Sequence, residues 1–283
     1  MGVVPEVLIA IDWSGRQGSD QKKHIWAGVW EHGVVQLVTG KTRNELCVWL
    51  IEQARKTPKL VAGVDFCFSY PEWFVREHGA SSAPEFWQIV LQHGEKWLAR
   101  ECEDARFWGK PKKKPPEFCG DAGTRRMLRL ADCECKLLDQ AVDPESIEGI
   151  APKSPFQIGG AGAVGTGTLR GIPLLPGLQA GGFAVWPFDL PRLPVLLEIY
   201  PRLLTGKVRK SVRDERVRYL RENVASGVLT PHTFEQAAGS EDAFDAAVSA
   251  LRMGECRIEF AQLRRLTEPI RQMEGKVWRP GVR

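Results

Sequence analysis

The sequence predicts an α/β protein built on a mixed sheet flanked by helices. Two observations lead there. Residues 7–11 and 60–64 are short, almost wholly apolar runs rich in β-branched side chains, the pattern of strands buried on both faces, and each ends at an aspartate. Between them lie a hairpin signature and one amphipathic helix, so strands and helices alternate along a single chain.

The elements follow in order. Residues 24–30 and 34–39 read as strands joined through Glu31-His32-Gly33, a short glycine-containing link, so three antiparallel strands open the chain. Residues 42–56 place Leu46, Trp49, Leu50 and Ala54 on one helical face, with Thr42 as N-cap and Pro58 as the stop. Residues 72–100 keep a helical pattern interrupted at 79–82. Residues 103–152 are charged, carry one amphipathic piece at 124–140, and are expected to form an insertion or lid. Residues 154–182 are dominated by glycine and are expected to be largely loop. Residues 195–200 form a fifth strand bearing Glu198, and helices are expected at 208–223, 241–253 and 257–266. With no internal repeat, residues 1–283 are expected to make one elaborated domain.

Composition narrows the class of protein. With 43% hydrophobic and 26% charged residues the chain has an ordinary globular balance, and no apolar run approaches the ~20 residues of a membrane helix. The first residues lack a basic stretch ahead of their apolar run, and the seven cysteines are scattered without a C-x-x-C knuckle, so a cytoplasmic protein with reduced thiols and no zinc is the expectation. A net charge of +4 and a pI near 8.7 permit a polyanionic partner without requiring one. The lysine-rich segment Lys110-Pro111-Lys112-Lys113-Lys114-Pro115-Pro116 reads either as a solvated loop or as a phosphate contact.

The chemistry lies in carboxylates. Asp12 and Asp65 each close a buried apolar strand, at the sheet edge where open α/β folds place their sites, and Glu198 lies on a third such strand. Asp242 and Asp245 stand three apart and share one helix face, and the small and apolar residues after them indicate a helix packed tightly on the sheet. Acids beside β-branched core are costly unless they are paired or bind metal. Several carboxylates with few histidines or reactive cysteines call for a hard, oxygen-ligated ion, Mg²⁺ or Mn²⁺, with Asp12, Asp65 and Asp245 as ligands. Two such ions about 4 Å apart would activate water and stabilise the leaving oxygen of a phosphodiester.

The motifs Ile9-Ala10-Ile11-Asp12-Trp13-Ser14-Gly15, Val64-Asp65 with Ser69-Tyr70-Pro71, Glu198-Ile199-Tyr200-Pro201, Asp242-Ala243-Phe244-Asp245-Ala246-Ala247 and Glu274-Gly275-Lys276-Val277-Trp278 together resemble a predicted RNase H-like nuclease family, catalogued as a domain of unknown function. The resemblance spans nearly the whole chain. It implies an RNase H-like sheet of three antiparallel and two parallel strands, with Asp12, Asp65 and Asp245 as the core of the site and Asp242 and Glu198 beside them. The paired helix aspartates are also similar to those of the Holliday-junction resolvase RuvC.

Around the acids, Gly160-Ala161-Gly162-Ala163-Val164-Gly165 satisfies G-x-G-x-x-G, but no buried strand leads into it and no long helix follows, so a dinucleotide site is excluded. A hairpin tip and a phosphate cradle both remain, the latter with Lys153 and Arg170 as counter-charges. Lys207 and Trp13 complete the set expected to contact nucleic acid. Cys67, His78 and His93 are set aside as nucleophile or base for want of a positioned partner, and most tryptophans fall at core spacing. The expected function is metal-dependent hydrolysis of nucleic acid. A catalytically inactive RNase H-like binding or regulatory module is one alternative. A phosphotransferase of the sugar-kinase and actin-like superfamily is another, and the chain length and lack of repeat count against it.

Overall fold

The computed structural model describes residues 2–102, 104–109, 112–137, 153–160 and 162–282. A mixed sheet of seven strands forms its centre: β1 (Val7–Asp12), β2 (Trp26–Glu31), β3 (Val34–Val38), β4 (Leu60–Val64), β5 (Ala184–Val185), β6 (Val195–Ile199) and β7 (Val277–Trp278). Their order is β3-β2-β1-β4-β6-β5, with β7 also paired to β6. β2 runs antiparallel to both its neighbours, and β4, β5, β6 and β7 join through parallel pairings. The five strands expected from the sequence are all present, and β5 and β7 are two-residue additions too short to leave a periodic signal.

The turn between β2 and β3 shows why that hairpin was legible. His32 and Gly33 both take positive φ, 49° and 85°, the backbone of a two-residue turn whose twist matches the strands it joins. The Arg43–Lys56 helix starts in a capping box, with the Thr42 and Glu45 side chains each accepting the other's backbone N–H, at 3.3 and 2.7 Å. It buries Leu46, Leu50 and Ala54.

Each face of the sheet carries its own core. On one, Ile9, Ile11, Ala62, Val64 and Leu196 pack against the Arg43–Lys56 helix, the Ala83–Leu98 helix with Phe86, Trp87 and Val90, and the aromatic group Phe66, Phe68, Tyr70 and Phe74. On the other, Leu8, Ala10, Val61, Leu197 and Ile199 meet Phe244, Ala247, Val248 and Leu251 of the Glu241–Glu255 helix. This helix lies unusually close to β2. A Cβ on Gly28 would sit 2.2 Å from the Ala246 carbonyl oxygen, so only glycine admits the helix at this depth.

Three expectations need correction. The glycine-rich segment is not mainly loop: it contains the Gly165–Gly171 and Leu175–Ala180 helices. Its glycines serve close packing, since a Cβ on Gly171 would meet the Phe66 ring at 2.7 Å and one on Gly165 the Pro155 carbonyl at 2.3 Å. The helix expected from residue 208 begins at Arg213, leaving 206–212 as a turn. The helix expected over 257–266 is the single turn Arg257–Phe260. Within the segment expected as an insertion or lid, Phe107, Phe118 and Met127 are buried in the first core, and the Leu130–Leu137 helix packs near β7. The remainder of that segment, 138–152, and Lys110 and Pro111 of the lysine-rich run lie outside the described residues. Among the described residues no helix is long and apolar enough to cross a membrane.

The close seating of the helix on Gly28 yields a test. Gly28→Ala should lower stability by about 1–3 kcal/mol, the usual cost of overpacking a core, and the melting temperature by several degrees. Gly239→Ala, where a Cβ meets nothing within 4 Å, should leave it nearly unchanged. Thermal unfolding followed by circular dichroism measures both.

Candidate functional site

β1 and β4 pair in parallel with Ile11 opposite Val64, and the Asp65 N–H donates to the Ile11 carbonyl at 3.1 Å. Asp12 and Asp65 are therefore the next residues along two adjacent strands. By the alternation of strand side chains both belong to the face that carries Ala10 and Val61, the face covered by the Glu241–Glu255 helix. Asp245, on that helix, is 8% exposed and completes the group. The three carboxyls act on one another: burial, then Asp245 and Asp65, hold Asp12 well above the ordinary carboxylate range. Burial and Asp245 push Asp65 up to about 8, and burial also raises Asp245.

A fourth residue offsets this repulsion. The Lys210 ammonium donates to Asp245 Oδ2 and lowers the pKa of all three aspartates. Asp245 Oδ1, also buried, has no hydrogen-bond partner among the described residues. Asp242, one turn earlier on the helix, is half-exposed and lies 2.9 Å from His24 Nδ1.

Glu198 does not join the aspartates. It stands opposite Val64 on β6, which puts its side chain on the other face of the sheet. There Arg129, fully buried, bonds both Glu198 oxygens, at 2.5 and 2.8 Å, and both Asp132 oxygens, at 2.6 and 3.0 Å. The Phe68 N–H adds a third bond to Glu198 at 3.0 Å. Burial raises the Glu198 carboxyl while Arg129 pulls it back. Cys67, Asp132 and Glu198 place one potential ligand atom each within 4.8 Å of one another. Both carboxylates of that group already have a cation in Arg129, and burial holds the Cys67 thiol well above its ordinary value, so the group is a closed structural ion cluster. A cavity of about 40 Å³ lined by Asp65, Cys67, Arg129, Glu198 and Lys153 lies beside it.

Beyond Asp65 opens a cleft of about 600 Å³, walled by Trp13 to Arg16 on one side and by the glycine-rich segment and Arg170 on the other. Arg170 and Trp13 line it but are committed. Arg170 bonds both Glu95 carboxylate oxygens, at 2.7 and 3.0 Å, and the Gly15 carbonyl. Trp13 donates to the Gly167 carbonyl at 3.1 Å and packs on Phe66. Arg43 holds the same loop from its far side through the Ser14 and Arg16 carbonyls, at 3.0 and 2.6 Å. Lys153 is exposed at the rim of the smaller cavity, and Lys207 is exposed on the turn that carries Lys210. In the lysine-rich loop, Lys112 donates to the Cys102 carbonyl and Lys114 to the Thr124 hydroxyl, so these two amines are tied back to the protein.

Lys210, Arg129, Asp132 and His24 escaped the reading of the sequence. Lys210 lies in a basic run that looks like an exposed helix start, next to the Lys207 that was chosen instead. Arg129 and Asp132 carry only an i, i+3 spacing, common on any helix. His78, set aside as a base, packs edge-on against Phe74 at 4.5 Å. Comparison of the chain with family models, with curated proteins and with solved structures finds no match to any of them.

The raised carboxyls set the pH dependence of the metal-free protein. Asp65 titrates near 3.8 when unfolded and near 8 when folded, so between those values the folded state holds a proton the unfolded chain has released. Stability therefore falls as pH rises through that window, by at most about 1.4 kcal/mol per pH unit for one such group. In EDTA the melting temperature should be higher at pH 5 than at pH 8, and Asp65→Asn should flatten the slope. Asp12→Asn should raise the melting temperature at pH 8. On the opposite face, Arg129→Met leaves Glu198 and Asp132 as buried unpaired charges and should cost about 3–5 kcal/mol, measured by denaturant titration.

Proposed function

We propose that this protein is an RNase H-like, divalent-metal-dependent phosphodiesterase acting on nucleic acid. One observation carries the reading: Asp12 and Asp65 stand in register on one sheet face, Asp245 closes over them, and its buried Oδ1 has no hydrogen bond among the described residues. Crowded carboxylates, with Asp245 raising both Asp12 and Asp65, are what a cation stabilises, and an all-oxygen donor set suits Mg²⁺ or Mn²⁺. The order β3-β2-β1-β4-β6, antiparallel through the first three strands and parallel thereafter, supports the RNase H-like assignment.

Asp12, Asp65 and Asp245 would hold the metal, which when bound supplies Lewis acidity toward a phosphoryl oxygen and lowers the pKa of water. The protein's own part is positional. The helix seated on Gly28 fixes Asp245, and the parallel register fixes Asp12 beside Asp65. Arg43 and Arg170 brace the Trp13–Arg16 side of the cleft by its carbonyls, so that this wall holds its shape next to Asp12. The cleft leads to Asp65 and has room for a nucleotide-sized group, with Arg16 and Lys153 at or near its mouth as exposed cations for phosphate.

The test is direct. Labelled single-stranded, duplex and branched DNA and RNA oligonucleotides are incubated with the protein in Mg²⁺, in Mn²⁺ and in EDTA. Cleavage of at least one substrate should require the metal. Asp12→Asn and Asp65→Asn should each reduce it by more than the roughly 10–100-fold that substitution of outer-shell groups costs. Binding that persists without cleavage of any substrate would assign the protein to the class of inactive binding modules.

A further inference from the structure

We infer that the aspartate site takes one divalent cation rather than two, held by Asp12 and Asp65 with Asp245 Oδ1, and that the Lys210 ammonium is its permanent second cation. The inference rests on reading the aspartates as a metal site and specifies how that site is filled.

The charges decide it. Two of the carboxylates first singled out stand apart from the group that shares Lys210. Glu198 points to the opposite face of the sheet, where Arg129 bonds it together with Asp132, and Asp242 lies half-exposed against His24, where solvent screens its charge. Asp12, Asp65 and Asp245 remain, carrying three negative charges when ionised, against the single positive charge of Lys210. The residue of two is what one divalent ion cancels. A second ion would leave an excess of two positive charges in a largely buried site, with Lys210 itself pressed against it.

Lys210 is not placed to step aside. It lies in the 206–212 turn, and that turn is fastened by the guanidinium groups of buried Arg216 and half-buried Arg202. Arg216, 5% exposed, donates to the Lys210 carbonyl and, at 3.0 Å, to the Ala238 carbonyl on the neighbouring helix. Arg202 donates to the Val208 carbonyl at 2.8 Å, and the Lys210 N–H itself returns to that carbonyl at 3.0 Å. A lysine on a free surface loop has none of these anchors. Here they fix the stem at the backbone and leave the ammonium at Asp245 Oδ2, while Oδ1 stays buried and without a partner among the described residues, available as a ligand atom. Asp245 thus bridges a fixed cation and an exchangeable one.

The experiment counts ions. Metal-free protein is titrated with Mn²⁺ while free Mn²⁺ is followed by electron paramagnetic resonance, and isothermal calorimetry gives an independent stoichiometry. Wild type should bind one tight Mn²⁺ per chain, and Asp12→Asn none. Lys210→Met should bind two, because the second cation has been removed, and Lys210→Arg, which restores the charge, should bind one. If Lys210→Met does not fold, Lys210→Gln takes its place, with the same expected count of two. Two tight ions in wild type, or a single ion in the uncharged Lys210 variants, overturns the inference and leaves the metal site standing. No ion bound by wild type overturns the metal-site reading itself.

Discussion

The depth at which the Glu241–Glu255 helix sits on the sheet governs the rest of the site. At Gly28 there is no side chain between strand and helix, and the Ala246 carbonyl occupies the space where a Cβ would be. That contact brings Asp245 down onto the strand ends where Asp12 and Asp65 already stand side by side. The approach is electrostatically unfavourable, since burial raises all three carboxyls and Asp245 raises both Asp12 and Asp65 further. Apolar packing of Phe244, Ala247, Val248 and Leu251 against the sheet offsets the repulsion, and Lys210 relieves part of it. Repelling charges held together by tight packing are what the proposed cation would stabilise.

One sheet end therefore carries two ionic clusters with opposite characters, one on each face. On the Asp12 face the charges are under-compensated and an acceptor atom is left over. On the Glu198 face Arg129 satisfies Glu198 and Asp132 together, and Glu274 adds bonds from the Glu72 and Leu130 backbone. The second cluster ties β6, the Leu130–Leu137 helix and the chain's late segment to one another. It contributes rigidity beneath Asp65 and has no acceptor to spare. A carboxylate's position at a strand end does not distinguish these roles; which face it points to does.

The cleft follows the same logic. Its walls are built from chain segments far apart in sequence, and Arg43 and Arg170 spend their donors on loop carbonyls and the Glu95 carboxylate rather than on a ligand. Arg170 was a natural choice for phosphate contact by its place in a glycine-rich stretch, yet Glu95 and Gly15 use its donors. Shape is what these residues supply, and the exposed cations near the mouth are a separate set.

Much of the fold was legible from local pattern. Buried strands 7–11 and 60–64, the two-residue turn at His32-Gly33, the Thr42 cap and the aspartate-bearing helix all announce themselves through periodicity, turn chemistry or capping, each of which depends only on near neighbours in the chain. Asp12 and Asp65 stood out because an acid closing an apolar run is costly wherever the strand lies, and Asp245 because it shares a helix face with Asp242. What the chain alone did not determine is what depends on partners distant in sequence. Glu198 faces away because its register with β4 puts it on the opposite side, and a one-residue shift would have reversed that. Glycines between 159 and 171 allow close packing of helices, since the groups they approach, Pro155 and Phe66 among them, are known only once the segment is folded back. Lys210 reaches Asp245 because two arginines hold its turn in place, and neither arginine is recognisable as an anchor until its carbonyl acceptors are in position. Charge pairing across the fold is set by three-dimensional proximity, which no spacing along the chain encodes.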